Sequence, residues 1–211
     1  DNNIYISLSR GDHNHNVLYT PHMGEGRQYS LLSYGLERQE HRASDGYYLA
    51  FSQDGLRWTD GPPGPVVPGH QDVGWFMYDQ VDREWRGIVK TFLITMGKKR
   101  RSVMCTVSPD GFNWSLPRPA VLLDPQDDEW ADGNPDHYSQ CYGMPVFRYE
   151  SMLLGLLQVF KCIDGVASWD GTTDVQLVSS RNGRDWQRVG DRSPILERGP
   201  EGSFDWGIVQ T

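Results

Sequence analysis

Apolar residues along the chain fall in short runs broken by Gly, Pro, Asp and Asn, and the pattern favours many short strands joined by tight turns over long amphipathic helices. Three runs, 47–51, 103–107 and 175–179, read as strands and lead into one repeated motif. Ser52-Gln53-Asp54-Gly55-Leu56-Arg57-Trp58, Ser108-Pro109-Asp110-Gly111-Phe112-Asn113-Trp114 and Ser180-Arg181-Asn182-Gly183-Arg184-Asp185-Trp186 all fit Ser-x-(Asp/Asn)-Gly-x-x-Trp. Asp-Gly and Asn-Gly supply the positive-φ residues of a tight hairpin, so each motif is predicted to be one. Each is followed by a proline and apolar residues, Pro65-Val66-Val67, Pro119-Ala120-Val121 and Pro194-Ile195-Leu196, which predicts a peripheral strand leaving the sheet. Upstream, residues 85–92 match residues 153–160 in Gly position, apolar pattern and final Phe, and residues 29–35 are a looser third version.

One unit therefore reads as four strands, and repetition at this period predicts an all-β chain, a β-propeller of four-stranded antiparallel blades. A sandwich would not be expected to repeat a four-strand signature three times. The predicted blades are 15–70, 71–124 and 136–198, with the start of the next at 203–211 and five blades in the intact protein. The chain opens without Met and stops in a fresh apolar stretch, so it reads as part of a longer protein.

Composition narrows the partners. A net charge of -8 argues against a nucleic-acid backbone, which clustered Lys and Arg would bind. The one basic run, Lys98 to Arg101, reads as a solvated hairpin loop, and no stretch approaches a membrane span. Cys105, Cys141 and Cys162 lack paired spacing and read as buried free thiols, which leans towards a reducing compartment.

In a propeller the innermost strands line a channel, so polar residues at their starts converge on one mouth. Asp72, Asp136 and Asp205 each open such an apolar run, 14, 22 and 19 residues after Trp58, Trp114 and Trp186. Near them stand Trp75, His137, Tyr138, Gln140 and Trp206, with His15 and Asn16 ahead of a first inner strand. Carboxylates beside rings and amides make a sugar pocket, because glycoside hydrolysis uses one protonated and one ionised carboxyl group. The plainer reading of each Asp is a turn former. Asp54, Asp110 and Asn182 read as turn residues, the three motif tryptophans as core anchors between blades, and Asp79 as a turn residue held in reserve. His13 and His15 share a strand face at metal-compatible spacing but show no third ligand, so a polar pocket loop is the expectation and no metal is assigned.

These features together resemble the five-bladed β-propeller glycoside hydrolases, the group of furanosidases, fructosidases and arabinanases, and among them bacterial members. The resemblance is carried by Ala50 to Trp58 and its two echoes, the 72–79 run, Asp174-Val175-Gln176-Leu177, and Gly202-Ser203-Phe204-Asp205-Trp206-Gly207. It implies inner-strand acids, a carbohydrate substrate and no organic cofactor. The chain departs from fructosidases in having no Trp-Met-Asn-Asp-Pro-type start and no Arg-Asp-Pro or Glu-Cys signature, and no Glu opens an inner strand although Glu is the usual acid in much of the group. The motif is also similar to the Asp-box of sialidases, but all three copies lack the residue between Asp and Gly. The expected activity is glycoside hydrolysis, with a non-catalytic sugar-binding propeller or an interaction scaffold as alternatives.

Overall fold

The computed structural model describes residues 11–36, 45–70, 72–165 and 171–207. They form three antiparallel sheets. The first contains β1 (Gly11–Tyr19), β2 (Tyr29–Leu36), β3 (Gly46–Ser52) and β4 (Trp58–Asp60) in that order, with β5 (Val67–Pro68) also paired to β3. The second runs β6 (Gly74–Asp79), β7 (Glu84–Thr95), β8 (Lys98–Ser108) and β9 (Arg118–Val121). The third orders β10 (His137–Gly143), β12 (Met152–Ile163), β13 (Gly171–Ser180) and β14 (Gln187–Arg188), with β11 (Val146–Tyr149) on β12. The chain divides into two compact units, Asp1–Gly87 with Val107–Leu116, and Ile88–Thr106 with Pro117–Thr211.

The repeated motif folds the same way each time, and its residue types follow from its hydrogen bonds. Ser52 Oγ accepts from the Gly55 amide at 2.9 Å, Asp54 Oδ1 accepts from the Leu56 and Arg57 amides at 2.8 Å, and Trp58 Nε1 donates to the Gly55 carbonyl at 3.2 Å. Ser108, Asp110 and Trp114 repeat this pattern, as do Ser180, Asn182 and Trp186. Two sequence expectations need correction here. The predicted hairpin forms, with Ser52 paired to Trp58 across a five-residue loop, 53–57, but only the glycine is left-handed, at φ 76, 79 and 68° for Gly55, Gly111 and Gly183, and not the Asp or Asn before it. The tryptophans are half-buried and close their own loops rather than serving as fully buried anchors.

The loop carboxylates yield a pH test. Burial alone would raise the Asp110 carboxyl, but bonds from Asn113, Phe112 and Ser108 bring it down to about 2. A depressed folded value contributes stability above the ordinary 3.8 that is lost as pH falls towards 2. Asp110→Asn, which copies the natural Asn182, is expected to keep the loop and flatten the stability curve across that window in acid-unfolding titrations followed by tryptophan fluorescence.

The proline segments also behave differently from expectation. They return to the third strand instead of leaving the sheet: Val67 pairs with Tyr47, Val121 with Val103, and Leu196 bridges Val175. The outer edge of the first and third sheets is thus covered by two short pieces, one at each end of the same strand. The apolar run starting at His137 breaks at Met144-Pro145, so that Val146 opens a separate strand.

The matched runs 85–92 and 153–160 occupy equivalent places in two twelve-residue strands, with Trp85 and Leu153 both fully buried. In the second unit Val89, Val103, Cys141, Leu157, Val175 and Val178 complete the core. Cys105, Cys141 and Cys162 are buried and free, and burial pushes the Cys141 and Cys162 thiols up to about 12. The run Lys98 to Arg101 is not a loop: the turn is Met96-Gly97, and these residues open β8. Arg100 is only 3% exposed, and where water cannot reach it its Nη1 donates to Asp128 at 2.9 Å and to the Ser139 carbonyl at 3.1 Å.

In the first unit Asp79 does head a turn, accepting from the Val81 and Asp82 amides. It is also buried against Arg86, whose Nε lies 3.0 Å from its Oδ2 and which also meets Asp82 and Glu84. Asn14, at φ 52°, makes a bulge in β1 between His13 and His15, so the strict alternation that set the two histidines on one face is interrupted. The side chain of His13 lies outside the described residues.

Candidate functional site

The second unit holds six of the nine predicted site residues: Asp136, His137, Tyr138, Gln140, Asp205 and Trp206. Asp136 stands exposed at the head of β10, its amide donating to Asn134 Oδ1 at 3.0 Å and its carbonyl accepting from Asp164 at 2.8 Å. The next residues separate by strand alternation. His137 stacks on half-buried Trp130, with centroids 5.5 Å apart and planes 8° from parallel, and Trp130 Nε1 donates to Ser139 Oγ at 2.8 Å. Tyr138 and Gln140 take the opposite face, where Lys98 lies 4.5 Å from the Tyr138 ring and Arg101 donates to Gln140 Oε1 at 2.7 Å. Burial, then its hydrogen bond to Asp164, raise the Tyr138 hydroxyl above its ordinary value. One site reading therefore covers residues on two faces of the sheet.

The His137 face continues across the sheet. Lys161, opposite Ser139 on β12, sits 5.7 Å over the Trp130 ring and 2.6 Å from Asp174 Oδ2. Asp174 Oδ1 accepts from Arg198 Nε at 2.9 Å, and Arg198 Nη1 donates to the Trp206 carbonyl at 2.9 Å. Burial alone would raise Asp174, yet the bonds and charges of Lys161 and Arg198 hold it below the ordinary carboxylate value, so it stays ionised. Asp205 Oδ1 accepts from Ser203 Oγ at 2.7 Å, and the Gly207 carbonyl accepts from the Thr173 amide at 2.9 Å. One polar line thus runs from the Trp130–His137 stack to the turn bearing Asp205 and the partly exposed Trp206. Of the apolar strand expected over 206–209, Trp206 and Gly207 form a bend and the rest lies outside the described residues.

The first unit holds Asp72, Trp75 and His15. Asp72 is exposed ahead of β6, and its charge adds to burial in raising the Tyr47 and Tyr34 hydroxyls. Trp75 is 40% exposed, whereas Gly74 and Phe76 beside it turn inward. Asn16, buried on β1, bridges to β6: its Nδ2 donates to the Gly74 carbonyl and its Oδ1 accepts from the Phe76 amide, both at 3.2 Å. This amide occupies the place of a peptide group and ties the two strands together.

Sequence reasoning missed Trp130, Lys161 and Arg198 and gave Asp174 no role. Trp130 lies in the short 3-10 helix Pro125–Ala131, whose signal was Asp124-Pro125 followed by Asp127, a reciprocal cap. Lys161 was visible as the single cation in the run 153–163. Arg198 carried no local signal.

No protein-family model and no curated protein sequence matches the chain. Solved structures do. An N-acetylgalactosamine deacetylase from F. plautii, solved with blood group B trisaccharide, is similar over 96% of this chain and 57% of its own, at 16% identity and TM-score 0.62. The family 32 β-fructofuranosidase of Bombyx mori covers 88% of this chain and 36% of its own, at 13% identity and TM-score 0.57. A family 32 glycoside hydrolase from Bifidobacterium adolescentis covers 91% and 38%, at 15% identity and TM-score 0.54. The chain spans between about a third and rather more than half of these proteins. It shares the β-propeller fold of these structures.

Proposed function

We propose that this chain is the carbohydrate-acting portion of a glycoside hydrolase, with Asp136, Asp205 and Asp72 as its working carboxylates. The observation that carries the reading is the half-buried Trp130–His137 stack beside exposed Asp136, joined through Lys161, Asp174 and Arg198 to the Asp205–Trp206 turn. A flat aromatic surface accepts the apolar face of a sugar ring, and carboxylates at its margin act on the glycosidic oxygen and the anomeric carbon. His137, Trp130 and Trp206 bind the ring in this reading, and Tyr138 and Gln140, on the opposite face of the sheet, do not contact that ring. Asp174, held ionised between two cations, is unsuited to donate a proton and serves to position Arg198.

The test is hydrolysis of a panel of aryl furanosides and pyranosides by the full-length protein. Asp136→Asn and Asp205→Asn are each expected to lower kcat/KM about a hundredfold or more, and Asp72→Asn to lower it measurably. Turnover unchanged in all three would sink the assignment. Full sugar binding without turnover would favour the non-catalytic sugar-binding propeller. The deacetylase similarity over nearly the whole chain favours one second reading, hydrolysis of a sugar N-acetyl group, which acetate release from N-acetylhexosamines would reveal.

A further inference from the structure

Ser139 lies on β10, the strand at one margin of the third sheet, and is wholly buried. All of its hydrogen-bonding groups are engaged. Its amide donates to Asp128 Oδ1 at 2.7 Å, and its carbonyl accepts from Arg100 Nη1 at 3.1 Å. Its hydroxyl donates to the Asp127 carbonyl at 2.5 Å and accepts from Trp130 Nε1 at 2.8 Å. Arg100 Nη1 also donates to Asp128 Oδ1, at 2.9 Å, so the two groups that hold the Ser139 backbone hold each other. The amide and carbonyl of a strand margin, which need partners once buried, find them here in one ion pair.

Trp130 is held from two directions. Strand alternation puts His137 and Ser139 on one face of β10. His137 lies 8° from parallel to the indole plane, and Ser139 takes the indole N–H. Stacking alone leaves a ring free to turn within its own plane, and a directed N–H bond to a fixed acceptor removes that freedom. The same hydroxyl grips the Asp127 carbonyl, three residues before Trp130 in the 3-10 helix, so helix and strand are joined where the ring is carried. We infer that Ser139 is the positioning residue of this aromatic surface, fixing where a bound sugar ring sits along the strand that Asp136 heads. The inference rests on the reading that sugar binds at the Trp130–His137 stack.

A double-mutant cycle on the full-length protein tests it, read by fluorescence anisotropy with labelled neutral trisaccharides of galactose, arabinose, fructose and xylose. Ser139→Ala, and Trp130→Phe, which keeps a ring but no N–H, are each expected to weaken binding about fivefold or more. The double variant is expected to bind no more weakly than the weaker single one, because both changes cut one bond. The Trp130 indole proton, identified by its loss in Trp130→Phe, is expected to exchange faster with solvent in Ser139→Ala. Parental affinity or parental indole exchange in Ser139→Ala, or losses that multiply in the double variant, overturns the positioning role and leaves the sugar surface standing. A parent that binds none of the four probes, or a Trp130→Ala variant that binds as the parent does, refutes the surface and the inference with it. Should Ser139→Ala not fold, parental affinity in Trp130→Phe beside weakened binding in Trp130→Ala overturns the role alone.

Discussion

Arg86→Met is expected to destabilise the protein by about 3–5 kcal/mol, the largest single loss the structure implies. The Asp79 side chain is wholly buried and that of Arg86 nearly so, and Arg86 also meets Asp82 and Glu84. Removing the guanidinium leaves Asp79 ionised in a site without water, or forces its protonation and weakens its acceptance of the Val81 and Asp82 amides. Asp79→Asn with Arg86→Met should recover part of the loss, since an amide keeps the turn acceptor without the buried charge. Urea unfolding of the two single variants and the double variant measures the coupling, and a single Arg86→Met variant as stable as the parent would show that the pair contributes nothing.

Gly74→Ala should cost about 3 kcal/mol through overpacking and damage the site as well. A β-carbon at Gly74 would lie 2.3 Å from Tyr47 Oη and 2.5 Å from its Cζ. The ring cannot swing away, because Tyr34 and Phe76 pack against it at 5.4 and 4.8 Å. The Gly74 carbonyl is also one of the two groups held by Asn16, so a shift of β6 loosens that bridge and moves Asp72 and Trp75. Faster hydrogen exchange at the Phe76 amide, alongside a lower Tm, is the expected signature. Tyr47→Phe in the same chain should rescue only part of the loss, because Cζ remains too close.

The sequence carried the strands and the three loops because each loop is specified by its own side chains: Ser, Asp or Asn, Gly and Trp bond within seven consecutive residues. Where partners are far apart the reading failed. Lys98 to Arg101 looked like a solvated loop because four cations in a row are usually exposed, and the acceptors that bury Arg100, Asp128 and Ser139, are nearly 30 and 40 residues on. Asp79 looked like a turn residue, which it is, but its bond to Arg86 left no mark beyond ordinary charge spacing. At the candidate site the strands that follow Asp72 and Asp136 were legible. Grouping them by proximity in sequence hid that His137 and Tyr138 face opposite ways, and the line Lys161–Asp174–Arg198 became visible only once β12 and β13 were paired.

The divided outer strand has a consequence for how the protein behaves in crowded solution. Sheet margins recruit foreign chains when they offer a long, flat ladder of unpaired amides. In the first and third sheets that margin is cut into pieces of at most three residues, flanked by prolines that donate no amide proton. Along that margin a partly unfolded neighbour meets only short pieces to copy, so the outer side of these two sheets is a poor seed for fibres.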